Sequence, residues 1–271
     1  MNKLDEICAV KRSEVARAKT SISQSELITQ AKTQTPPRGF ENALRRKAEK
    51  GWALIAEIKR ASPSKGIIRA DFDPAIHASD YEAGGASCLS VLTDRQFFHG
   101  HPHHLQVARQ SCSLPVLRKD FIVDPWQVYE ARAMGADAIL LIAAALDNEC
   151  MIELEAIAID CGMDVLVEVH SLQELERTSQ LTTNLVGINN RNLQTFKTDL
   201  GISEQIAPFA SSENILVSES GILSSDDCSR LSQVGIRCFL VGETLMRPEN
   251  QKLAIERLIE PNKLLSNELN V

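Results

Sequence analysis

After the first fifty residues the chain repeats one pattern: a short, nearly continuous apolar run rich in branched side chains, then a longer stretch with apolar positions at helical period. Eight such runs lie at 52–59, 87–93, 115–120, 138–146, 164–169, 185–190, 215–220 and 238–243. They do not alternate cleanly, so they fit strands of a parallel sheet covered on both faces rather than half-exposed antiparallel strands. Segments such as WQVYEARAMGA and ECMIELEAIAIDCG fill the intervals. Four of the intervals end in a glycine just before the next strand, at Gly85, Gly135, Gly162 and Gly235. Glycine at that point predicts a left-handed helix cap that turns the chain straight into the strand. Eight units at spacings of 21 to 35 residues predict an α/β fold closed into a (β/α)8 barrel, the TIM-barrel architecture, over an open doubly wound sheet. No GxGxxG follows the first run, which leaves a dinucleotide-binding sheet without support.

Residues 1–50 stand outside this rhythm. Leu4, Ile7, Cys8, Val15 and Ala16 share one helix face, TQTPPRGF breaks the chain, and ENALRRKAEK predicts a second short helix. The reading is a helical extension, 1–50, packed on a barrel, 51–271, as one domain. The extension is expected to cover part of the barrel mouth and add to substrate binding.

Composition narrows the partners. With 29 basic and 36 acidic residues the net charge is -7, which repels polyanions and argues against nucleic acid. Seven cysteines with no CxxC spacing read as reduced thiols of a cytoplasmic protein, with Cys88 and Cys238 in the core. The start of the chain has no apolar signal region, and the longest apolar run, 138–146, is too short to span a bilayer. What remains is a small-molecule partner, with a monomer expected.

Chemistry in such a barrel sits at the carboxyl ends of the strands, where the βα loops converge. Those ends carry Glu57, Lys59 and Ser62, then Lys119 and Phe121, then Glu168, Asn189 and Arg191. The last two supply Glu219, Ser220 and Gly221, and Gly242 and Glu243. A single charge at a strand end ordinarily just meets water. Lysines, carboxylates and an arginine converging on one mouth instead shift one another's pKa values, which predicts an active site. The loops SGILSSDD and GETLMRP offer small residues and exposed backbone N–H groups to a phosphate. His99, His101, His103 and His104 in HGHPHH could attract a divalent metal. They form a loop and helix start with no carboxylate or thiolate in step, so they are read as adventitious affinity and no metal site is assigned.

The motifs EIKRASPSKG, SVLTD, PVLRKDFIVD, GADAILLI, LVEVH, GINNRNL, VSESGI and LVGETLMRP, in this order from about residue 54 to 248, resemble the indole-3-glycerol phosphate synthase family. The resemblance implies a decarboxylating, dehydrating ring closure of 1-(o-carboxyphenylamino)-1-deoxyribulose 5-phosphate, with no metal or organic cofactor. It implies Lys119 as general acid toward the ketone oxygen and Glu168 as general base. Lys59 would help dehydration and bind the anionic substrate, with Glu57 orienting it. Ser62, Asn189, Arg191, Glu219 and Ser220 would contact substrate, with Phe98 and Phe121 as the wall for its aromatic ring. Ser62, Gly221, Gly242 and Glu243 would hold phosphate. Some relatives have serine where Glu243 stands, so its backbone N–H is the expected ligand. The chain ends about 30 residues after its eighth strand, which implies a monofunctional form rather than a fusion to a second barrel. Two alternatives stay open: a lyase using a strand-end lysine as a Schiff base, and a non-catalytic phosphate-ligand barrel, which would be expected to have lost Lys119 or Glu168.

Overall fold

The computed structural model describes residues 3–192 and 195–259; the tail 260–271, read above as part of the barrel unit, lies outside them. Eight parallel strands form a closed ring: β1 (Ala53–Ile58), β2 (Cys88–Leu92), β3 (Val116–Lys119), β4 (Ala138–Ile142), β5 (Asp164–Val169), β6 (Leu185–Asn189), β7 (Ile215–Glu219) and β8 (Cys238–Val241). Each pairs with its neighbour in sequence, and β8 closes on β1 with Cys238 opposite Ala53.

The continuous apolar runs have a simple cause: both faces of every strand are buried. Ala53, Ile55, Leu117, Leu140, Leu166, Val217 and Leu240 point inward and fill the barrel. The alternate positions, such as Leu54, Ala56, Val116, Ile139, Val165 and Phe239, pack outward under the helices. Because the side-chain period is two, the last inward position of a strand opens at its carboxyl end. That register sets Glu57, Lys119, Glu168, Asn189 and Glu219 facing inward, and it sends Arg118 outward to Asp120 and Glu130.

The outer layer comprises α4 (Pro74–Ala83), α5 (Pro102–Gln110), α6 (Pro125–Ala133), α7 (Asn148–Asp160), α8 (Leu172–Thr178), α9 (Gly201–Ile206) and α10 (Ser225–Ser232). The short α11 (Glu243–Met246) and α12 (Gln251–Ile259) follow β8. The four predicted caps are present: Gly85, Gly135, Gly162 and Gly235 all have φ between 74 and 95°. The next N–H in each case reaches back into the last turn, as Ala136 does to the Ala131 carbonyl at 2.9 Å. No helix among the described residues is long and apolar enough to cross a membrane.

The N-terminal segment holds three helices, α1 (Lys3–Ser21), α2 (Gln24–Thr33) and α3 (Phe40–Ala48), where the sequence reading expected two. The missed break is a capping box: Ser23 accepts from the Glu26 N–H and the Glu26 carboxylate accepts from the Ser23 N–H, which starts a new helix. Phe40 and Leu44 of α3 are fully buried and close the amino-terminal end of the barrel, where the Glu41 N–H donates to Asp164 Oδ2 at 2.9 Å. At the opposite end Leu4 and Cys8 of α1 join the same interior cluster. Leu27 of α2 and Val15 of α1 pack on Trp126 of α6.

Ala16, assigned above to the apolar face of the first helix, is exposed, and Lys11 occupies the buried stripe instead. Its ammonium sits 2.8 Å from Asp94 and 3.0 Å from Asp120 at the ends of β2 and β3, with Glu14 at 2.9 Å. Burial opposes the charge, but Asp120 and Asp94 outweigh it and hold Lys11 above the usual lysine range. The extension is thus pinned to the rim beside Lys119 by a buried ion cluster.

Candidate active site

The strand ends open into one cavity of about 960 Å³. All fourteen residues singled out from the sequence line it. Lys119 is the hub. Its Nζ donates to Glu168 Oε2 at 2.9 Å, from β5, and to Glu219 Oε2 at 2.7 Å, from β7. Lys59 pairs with Glu57, two residues back along the end of β1, so both groups present themselves to the same space. The Asn189 side chain hydrogen-bonds Glu168, and its Oδ1 accepts the Arg191 N–H at 3.0 Å.

Two carboxylates sharing one ammonium cannot be equally content, and their environments separate them. Burial works against the Glu168 carboxylate, but Lys119 and then His170 overcome it and pull its pKa down to about 2. Glu219 is pushed up to about 7, first by burial and then by the Glu168 charge, against the pull of Lys119. Its second oxygen, Oε1, is buried with no hydrogen-bond partner among the described residues. Lys119, though buried, is held above the usual lysine range by Glu168, Glu219 and Glu57. The result is an ammonium, an ionised carboxylate and a carboxyl that titrates near neutrality within one hydrogen-bonded set.

The raised Glu219 carries a stability consequence. Between the ordinary value of 4.5 and about 7 the folded chain keeps a proton that the unfolded chain has lost. Stability therefore falls as pH rises through that window, by up to about 1.4 kcal/mol per pH unit from this group. Thermal melts from pH 4.5 to 7 should show a flatter dependence for Glu219→Gln than for the parent chain. Parallel curves would contradict the assignment.

Two glycines make room for this arrangement. A Cβ on Gly187, in β6, would collide with Glu219 Oε1, and one on Gly242, just after β8, would collide with Glu57 Oε1 and come within 3.0 Å of Lys59 Nζ. Gly187 was not singled out from the sequence, because a glycine inside an apolar run carries no sign of what approaches it. Gly242 was read only as a phosphate ligand, and its packing against Glu57 and Lys59 is a second reason for glycine there.

Phe98 and Phe121 face each other with ring centroids 6.1 Å apart and form one wall. Ser62 sits in a small hairpin where Ala61–Ser62 pairs with Gly66–Ile67. Ser220 and Gly221 follow β7 with consecutive positive φ values of 66 and 83°. Asn190 steadies them by donating to the Ser220 carbonyl at 3.0 Å. The Glu243 carboxylate is occupied by Arg247 at 2.7 Å, with Lys65 at 4.0 Å, so its negative charge is partly neutralised. Lys3, Leu4 and Ile7 of α1 also line the cavity. The histidine run stays apart: His101 caps α5 by accepting from the His103 N–H, and among the described residues no three His, Cys, Asp or Glu come together to hold a metal.

Sequence reasoning missed His170 and Lys11. Lys11 left a legible trace, a lysine on the apolar stripe of a helix, which signals a buried ion pair. His170 left one too, its place two residues after Glu168 at the end of β5, although the 3.4 Å approach of its ring to that carboxylate is visible only in the fold.

A closed parallel barrel with ammonium and carboxylate groups gathered at its carboxyl-end cavity defines an enzyme of the (β/α)8 class. Solved barrels share the architecture: thiamine phosphate pyrophosphorylase from Pyrococcus furiosus superposes with a TM-score of 0.58 at 17% identity, over 82% of this chain and 98% of that one. 3-Hexulose-6-phosphate synthase from Salmonella typhimurium gives 0.61 at 11% identity, over 79% and 99%. At such identities the likeness concerns fold alone. The sequence model of the indole-3-glycerol phosphate synthase family matches residues 4–258. Indole-3-glycerol phosphate synthases from Rhizorhabdus wittichii and Zymomonas mobilis subsp. pomaceae are 54% and 52% identical to it, covering 95% and 96% of this chain and 98% and 99% of theirs. The chain belongs to the indole-3-glycerol phosphate synthase family, carboxy-lyases of tryptophan biosynthesis that act on a phosphorylated substrate.

Proposed function

We propose that the Lys119–Glu168 pair carries out the ring closure of 1-(o-carboxyphenylamino)-1-deoxyribulose 5-phosphate. The observation that carries this reading is the 2.9 Å contact between an ammonium and an ionised carboxylate at the floor of one cavity. Closure needs a proton delivered to the ketone oxygen as the aromatic carbon attacks it. Carbon dioxide then leaves, the new hydroxyl departs as water after a second protonation, and a carbon-bound proton is removed to complete the pyrrole. Lys119 is the first donor, Lys59 assists the dehydration with Glu57 orienting it, and Glu168 accepts the carbon-bound proton. A lysine held charged by three carboxylates is suited to donating a proton and poorly suited to imine formation, which needs a neutral amine. That favours acid–base catalysis over the Schiff-base alternative.

The substrate's aromatic ring lies against Phe98 and Phe121. Asn189, Arg191, Glu219 and Ser220 contact its polar middle, and the phosphate sits toward Ser62 and the backbone of Gly221, Gly242 and Glu243, an end that also has Lys59, Lys65 and Arg247. The extension 1–50 and the barrel act as one domain, with α1 lending its first turns to the mouth. No cofactor takes part in this scheme. We read the protein as a cytoplasmic monomer without nucleic-acid or membrane partners, on its charge and cysteine pattern, which size-exclusion chromatography and cell fractionation check. The reaction itself is tested by the rise of indole fluorescence from the carboxyphenylamino sugar phosphate with and without a chelator. Equal turnover in both is expected; no turnover, or turnover lost to the chelator, would overturn the reading.

A further inference from the structure

Beside Glu168, outside the cavity lining, the structure places a group that the chemistry above does not use. His170 follows β5, and its ring is not among the groups that line the cavity. Its Nδ1 hydrogen-bonds Glu174 Oε2, in the first turn of α8, at 3.4 Å, while its Nε2, buried and without a hydrogen-bond partner among the described residues, lies 3.4 Å from Glu168 Oε1 at ion-pair distance. Glu174 is itself fixed, because its Oε2 accepts the His170 backbone N–H at 2.7 Å. The ring is 13% exposed, so water competes weakly for either nitrogen.

A neutral imidazole has one N–H and one lone pair. Set between two carboxylates, either neutral tautomer turns a lone pair toward an anion. Only the imidazolium turns no lone pair toward either anion: it donates from Nδ1 to Glu174 and sets a positive Nε2–H at ion-pair distance from Glu168. We propose that His170 is an imidazolium bridge from Glu174 to Glu168, a positioning residue that fixes the general-base carboxylate from outside the cavity lining while Lys119 and Asn189 hold it from within. The inference rests on the reading of Glu168 as the base. The acidic groups that favour the charged ring are Glu168 on β5, Glu174 on α8 and Glu219 on β7; the opposing cation is Lys119 on β3, held on the far side of Glu168 by its contacts to Glu168 Oε2 and Glu219 Oε2. Although burial opposes the charge, hydrogen bonding to Glu174 and the Glu168 charge raise the His170 pKa above its ordinary value.

Two consequences separate this role from ordinary packing. Loss of the ring proton at higher pH turns a lone pair toward one carboxylate, so kcat should fall as pH rises through the imidazolium's titration, with KM nearly constant. Glu174→Gln withdraws an anion that favours the charged ring, so the fall should begin at lower pH. His170→Gln has no such titration and should lose that limb of the profile, with kcat reduced about 10-fold, in line with the lower end for groups that orient a first-contact residue. Single-turnover rates across pH for the parent, His170→Gln and Glu174→Gln, together with Glu168→Gln, test it. The bridge stands if both variants alter the pH profile in these directions while substrate affinity holds. It falls if both keep the parent profile, or if only KM changes. Should Glu168→Gln keep full turnover, the base assignment fails first. A dead Glu168→Gln beside unaltered His170 and Glu174 profiles would overturn the bridge alone. If His170→Gln does not fold, the Glu174→Gln shift still decides.

Discussion

Lys119→Ala is expected to lower kcat by about 100- to 10,000-fold, the range a positioned proton donor supplies, while affinity for inorganic phosphate stays close to that of the parent chain. The proposed phosphate end of the cavity is built from other strands, so it should survive. Stability should not be untouched. The substitution leaves Glu168 and Glu219 facing each other without the ammonium that both contact, and breaking such a buried set costs on the order of 3–5 kcal/mol when the remaining charges stay ionised. One of the carboxylates can escape that cost by taking up a proton. The variant's melting temperature should therefore drop more at pH 8 than at pH 5, the direction expected when the folded state binds the extra proton. Undiminished turnover would remove Lys119 from its role, and a pH-independent loss of stability would remove the two-carboxylate account.

Glu168→Gln should be comparably damaging to kcat for a different reason. The amide fills the same volume and can still meet the neighbouring donors, but it cannot accept a proton from carbon. Because the carboxylate titrates at about 2, it stays ionised throughout the neutral range, and any pH dependence of the parent's kcat there arises from neighbouring groups rather than from protonation of Glu168. There is a linked effect on Glu219. The Glu168 charge helps raise it, so neutralising Glu168 lets the Glu219 pKa fall toward the ordinary value of 4.5. The decline of stability with pH that Glu219 causes should then be smaller in Glu168→Gln. Kinetics that match the parent would refute the base assignment, and an unchanged stability profile would refute the coupling.

Much of this site is legible in the sequence. Strand ends are recognisable because each apolar run stops where the chain leaves the doubly covered sheet. In a parallel barrel all those stops fall at one mouth, which is why Lys119, Glu168 and Glu219 could be grouped across 100 residues of sequence. The helix caps at Gly135 and its three counterparts were legible because left-handed backbone has few substitutes for glycine. The extension was read less well. Ser23 and Glu26 spell a capping box that starts a further helix, and the apolar face that the spacing of Ala16 suggests belongs instead to Lys11.

The sequence by itself determined the barrel, the direction of its strands and the roster of groups at its mouth, since burial on both faces, helical period and capping are local in the chain. Only the tertiary structure decided which carboxylate shares a proton donor with which, that a side chain at Gly187 or Gly242 would displace Glu219 or Glu57, and that His170 stands beside Glu168. Those facts depend on ångström-scale distances between strands remote in sequence. Electrostatic energy in a buried site turns on such distances, and the order of residues along a chain does not encode them one position at a time.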